Sequence, residues 1–148
     1  MKKIIGFLLL MIVVGWGCSD DEEKQVVDYE LPSDFFYQTV WNGQMSPFKD
    51  FEFWIGVEFV SETEGRAKTG EDSAIGIGSS NYVEFDYSVE GKVLHISRKD
   101  NNYTTRFDGY WFLTYANEAM DSLVFKQDVY EDEPTIMMLK RVSLEDRK

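Results

Sequence analysis

The chain has 148 residues, with 15 Lys+Arg against 27 Asp+Glu and a net charge of −12 at pH 7. Such a balance argues against nucleic acid and anionic lipid headgroups as partners, because binding to phosphates needs clustered cations. One cysteine excludes an intramolecular disulfide, and one histidine excludes a multi-histidine metal site.

Residues 1–17 read as an export signal: Met1-Lys2-Lys3, an apolar stretch, and small residues before Cys18. Ile4 to Val14 is too short for a spanning helix, which needs about 20 apolar residues. Gly15-Trp16-Gly17-Cys18 resembles the lipobox of bacterial lipoproteins, in which the chain is cut just before an acylated cysteine. That resemblance implies Cys18 as the site of lipid attachment and acyl chains as the membrane anchor. Acyl chains contribute about 0.8 kcal/mol per buried CH₂, so several on one cysteine hold firmly. Ser19-Asp20-Asp21-Glu22-Glu23 resembles the export signal that carries Bacteroidetes lipoproteins to the outer face of the outer membrane. Display on the cell surface is the expectation, with the periplasmic face as the alternative. Residues 18–34 then form the acylated cysteine and an acidic, flexible tether, leaving residues 35–148 as one domain.

From Phe35 onward, polar and apolar residues alternate with period 2, broken by Gly, Asn and Asp. This is the pattern of half-buried strands rather than helices. The first strands are expected at Phe36 to Asn42 and Phe53 to Ser61, the second carrying Ile55, Val57 and Phe59 on one face. Thr63-Glu64-Gly65 turns the chain into a short strand, Arg66 to Thr69, and Gly70 to Ser80 is a loop or a weak edge strand. Tyr82 to Ile96 is a hairpin: Val83, Phe85, Tyr87 and Val89 share a face, Glu90-Gly91 turns, and Leu94 and Ile96 resume the apolar side. Gly supplies the positive φ that a two-residue turn demands. A further turn at Asp100-Asn101-Asn102 leads into Tyr103 to Leu113, with Phe107, Gly109, Trp111 and Leu113 together and Gly109 at a bulge or bend. Ser122 to Val129 and Thr135 to Val142 complete eight candidate strands with short connections. The fold class is therefore all-β, an eight-stranded antiparallel up-and-down meander that can close into a barrel and so remove its edges.

Catalytic parts are missing. Cys18 is committed to acylation, no Gly-x-Ser-x-Gly elbow occurs, and His95 falls out of phase with Leu94 and Ile96, on the other side of the sheet. No enzyme activity, cofactor or metal is expected. The acidic clusters Asp128 to Glu133 and Asp100 to Asn102 lack the spacing of a calcium loop and read as solvated hairpin tips. Aromatic residues remain. Trp41, Trp54, Trp111, Phe85, Tyr87 and Phe107 are candidates for the barrel interior, while Tyr110, Phe112 and Tyr115 are assigned to the outside.

Thr39-Val40-Trp41-Asn42-Gly43 resembles the Thr-x-Trp-x-Gly opening of small lipocalin-like domains in Bacteroidetes lipoproteins. Val57 to Gly65, Phe85 to Ile96 and Met120 to Phe125 are similar to their second strand and turn, central hairpin and ending. The resemblance covers Phe35 to Val142 and implies a lipocalin-like, calycin-type barrel with a hydrophobic-ligand pocket. On that implication Trp41, Phe85, Tyr87, Phe107 and Trp111 are the ligand-binding candidates. The short covering helices of true lipocalins find no counterpart in the sequence, apart from one possible turn at Asn117 to Met120. Two functions follow: a barrel that binds a small apolar ligand, or a non-catalytic module with a filled core that docks onto an outer-membrane or glycan-handling complex.

Overall fold

Alternating side chains can satisfy both water and a core only if one face of every strand turns inward. The chain does this by pairing each strand with its sequence neighbour. The structure, a computed structural model, describes residues 29–48, 50–69, 82–100, 106–127 and 134–143, with the Phe48 side chain left aside. The strands are β1 (Thr39–Phe48), β2 (Phe51–Phe59), β3 (Glu64–Thr69), β4 (Val83–Glu90), β5 (Val93–Arg98), β6 (Gly109–Ala116), β7 (Ser122–Gln127) and β8 (Thr135–Arg141). All neighbours are antiparallel, and β1 also pairs with β8, so the meander closes into a barrel. No helix occurs among the described residues. The architecture is consistent with a lipocalin-like fold.

Burial follows the expected parity. Phe85 and Tyr87 on β4, Leu94 and Ile96 on β5, and Leu123 and Phe125 on β7 are buried, while Glu84, Asp86 and Ser88 are exposed. The turn between β4 and β5 lies one residue later than expected: Glu90 still pairs with Val93, leaving Gly91 (φ 58°) and Lys92 to reverse the chain. Trp54 departs from the expectation of an interior place. It is 49% exposed, because Ile55, Val57 and Phe59 take the inward parity of β2 and leave Trp54 on the other side.

The first strand also starts later than expected. Residues 33–38 form consecutive turns, with the amides of Phe35, Tyr37 and Thr39 donating to the carbonyls of Pro32, Asp34 and Phe36. Gln38 takes a left-handed conformation (φ 54°), which ends the turns and releases the chain into β1. This segment covers the barrel end where the β2–β3, β4–β5 and β6–β7 turns lie. Leu31 is buried, its amide bonded to the Gly91 carbonyl at 2.8 Å, so the packed domain reaches back before Phe35.

Two irregularities shape β6. Gly109 opens it at φ 117°, with the Gln127 side-chain amide lying where a Cβ would stand. The register shift falls further on, between Leu113 and Tyr115 opposite β7. Strict counting gives Tyr115 the parity of Trp111. The extra residue of the bulge turns Tyr115 outward and Ala116 inward instead. Residues 70–81, 101–105 and 128–133, which hold the Gly/Ser-rich stretch and most of the acidic hairpin tips, lie outside the described residues.

Candidate functional site

An eight-stranded barrel is just wide enough either to be filled by its own side chains or to hold one small ligand. The surroundings of the five candidate ligand residues bear on this choice. β1 supplies Trp41, β4 supplies Phe85 and Tyr87, β6 supplies Trp111, and Phe107 comes from the turn just before β6. The structure brings all five into one interior cluster. Trp41, Phe85 and Trp111 are 0% exposed, Phe107 3% and Tyr87 4%. The first three are thus enclosed by protein on every side.

The rings fill space against one another. Phe36 from the cover stacks on Phe59 at 4.3 Å and meets Trp41 edge-on at 5.6 Å. Tyr87 packs against Phe59 at 4.7 Å, and Phe85 against Phe107 at 5.3 Å. These are the separations at which aromatic pairs attract beyond their buried area. Their polar handles are also spent within the protein. Trp41 Nε1 donates to Thr39 Oγ1 at 2.8 Å, Trp111 Nε1 to the Phe107 carbonyl at 2.9 Å, and the Tyr87 hydroxyl to the Ser61 carbonyl at 2.7 Å. Burial, with the Glu62 carboxylate as a smaller cause, pushes the Tyr87 phenol up to about 12. Two buried side-chain oxygens, Asn42 Oδ1 and Gln127 Oε1, have no hydrogen-bond donor.

Phe36, expected in the first strand and its core, instead enters the interior from the turns that precede β1. Met45 and Met137 are also fully buried, on the inward parity of β1 and β8. Two recesses formed by described residues open to the surface. One of about 540 Å³ sits between the cover and the β2–β3 turn, lined by Asp34, Glu62, Thr63 and Tyr87 among others. A second, of about 200 Å³, lies over β3 and β4 beside Arg66, Tyr82, Glu84 and Lys99. Around it Arg66 pairs with Glu58 and lies 5.1 Å from the Tyr82 ring, while Lys99 pairs with Glu64 and Asp86. Glu58 holds the Arg66 guanidinium above its ordinary value, chiefly through their hydrogen bond.

His95 is on the outer face, stacked on Tyr110 of β6 at 4.3 Å with 23° between ring planes. Tyr110, Phe112 and Tyr115 are 59%, 49% and 41% exposed. Cys18 lies outside the described residues. The sequence matches no family model, and no curated protein or solved structure is found similar to it. What the chain can do must therefore be argued from this geometry.

Proposed function

We propose that this chain is a lipid-anchored, cell-surface module without enzymatic activity, which acts through the outside of its barrel. The observation that carries this reading is the near-zero exposure of Trp41, Phe85 and Trp111, the residues that would line an internal pocket. Side chains that already contact one another at 4–6 Å leave a ligand nothing to replace except the core itself. The exterior, by contrast, offers rings half-exposed to solvent. The lone histidine supports a non-catalytic role, since it stacks on Tyr110 rather than facing a nucleophile. The anchor is carried by Cys18 and its flanking residues, and the resemblance to Bacteroidetes surface lipoproteins supports the address.

Native mass spectrometry of the protein from its own host tests the filled interior. The expected spectrum shows no non-covalent small molecule, and fatty acids or sterols leave tryptophan emission unchanged. A stoichiometric apolar ligand, or a shift in the emission of Trp41 and Trp111 on adding one, overturns the reading in favour of a ligand-binding barrel.

A further inference from the structure

The charge of this protein is unevenly placed around the barrel. Outward-facing carboxylates stand on β2 (Glu52, Glu58), β3 (Glu64) and β4 (Glu84, Asp86, Glu90). Across the five contiguous strands β5, β6, β7, β8 and β1, no described outward-facing residue is Asp or Glu.

Within this sector, apolar groups and lysine gather on β6, β7 and β8. Register places Tyr115, Val124, Met138 and Gln44 side by side on β6, β7, β8 and β1. The adjoining row runs Phe112, Lys126 and Ile136, and Lys140 follows Met138 along β8. Phe112 is 49% exposed, and Ile136 and Met138 are each 37% exposed. Exposed apolar side chains gathered on neighbouring strands mark a contact site.

We propose that this sector is a docking face for a phospholipid surface, laying the barrel against the membrane with β4 turned away. The inference rests on the reading that the barrel works through its exterior. Tyrosine and phenylalanine rings flanked by lysines match the interfacial zone of a bilayer, where rings sit at headgroup level and ammonium groups reach phosphate. Protein interfaces also favour aromatic residues and methionine, but they are depleted in lysine. Here Lys126 lies between Phe112 and Ile136, within the apolar sector. The lack of outward carboxylates among the described residues of these five strands also spares the contact part of the repulsion that the whole-chain charge implies. Repulsion from the far side fades beyond about 10 Å at 0.1 M salt. The contact orients the barrel; holding it there permanently belongs to the acyl anchor.

The chain from Ser19 onward contains all eight strands and the core, and lacks the apolar leader. Co-sedimentation of this chain with phosphatidylcholine vesicles, with and without phosphatidylglycerol, tests the proposal. Measurable binding to both is expected. Combined Tyr110→Ser, Phe112→Ser and Tyr115→Ser substitutions should lower partition at least roughly tenfold on either vesicle. Lys140→Gln should cost up to about fivefold, and only with phosphatidylglycerol at low salt. Glu90→Gln, on the acidic side, should weaken neither. All replaced side chains are exposed, and unchanged near-ultraviolet circular dichroism verifies the fold. Absence of wild-type binding to either vesicle overturns the proposal, as does equal binding by the triple variant. Self-association through the same rings without vesicle binding overturns it in favour of a protein contact. Each of these outcomes leaves the filled interior to be judged separately, by ligand retention.

Discussion

Tyr87 shows how a single residue joins the interior to the rim. Its ring is core, and its hydroxyl is held by the Ser61 carbonyl. The unfolded phenol ionises near 10 and the folded one near 12, raised by burial, so the folded protein holds this proton more tightly. The stability it contributes is fully present below pH 10 and is lost as pH rises through 12. A urea-midpoint series across that window should decline for the wild type and flatten for Tyr87→Phe. Near neutral pH the same substitution should cost about 1 kcal/mol, the usual net worth of one hydrogen bond. At Gly43 the constraint is space: a Cβ there would stand 1.7 Å from the Met138 carbonyl oxygen. Since that oxygen is backbone on β8, Gly43→Ala must part the seam that closes the barrel. The expected loss is about 3 kcal/mol or more, measured by chemical denaturation. Sequence alone made Gly43 part of an opening motif; the close approach that demands glycine is visible only across the β1–β8 pair.

At the scale of elements, the cover over residues 31–38 was the least legible part. Phe35, Phe36 and Tyr37 look like strand residues, since aromatics favour strands. The turns around Pro32 and Asp34 and the left-handed Gln38 convert them into a lid whose Phe36 enters the barrel. Phe36→Ala should cost about 3–5 kcal/mol, the range for truncating a buried ring. If Phe36 only decorated the end of a strand, the loss would stay near that of a surface substitution. The strands themselves were readable, most clearly the β4–β5 hairpin, because alternation and turn residues act over short distances. The bulge in β6 was not; it carries Tyr115, assigned to the outside from the sequence, there against strict alternation.

For the molecule as a whole, attachment and packing make separate predictions. Palmitate labelling in the host should be lost in Cys18→Ala, with the protein moving from the washed membrane fraction to the soluble one. Trp111→Ala should destabilise by about 3–5 kcal/mol and leave a dry apolar cavity. That variant, unlike the wild type, should take up a small apolar probe such as benzene or xenon, detectable by a raised unfolding midpoint. Composition put the net charge at −12 and from it argued repulsion from anionic lipid. The barrel divides that charge, gathering outward carboxylates on β2, β3 and β4 and leaving the other five strands without any. A summed charge carries no direction, so no reading of composition could have found that face.

The sequence by itself determined the strand order, the antiparallel meander and which parity of each regular strand turns inward. These follow from period-2 alternation and from residues that tolerate tight turns, both local properties of the chain. Tertiary structure alone decided that the described aromatic side chains pack against one another inside the barrel, that residues 31–38 cover one end, and that the apolar outer residues of β6, β7 and β8 meet β1 in one sector. Those outcomes depend on volumes and registers meeting across strands far apart in the chain, and no local pattern encodes how closely such groups will fit.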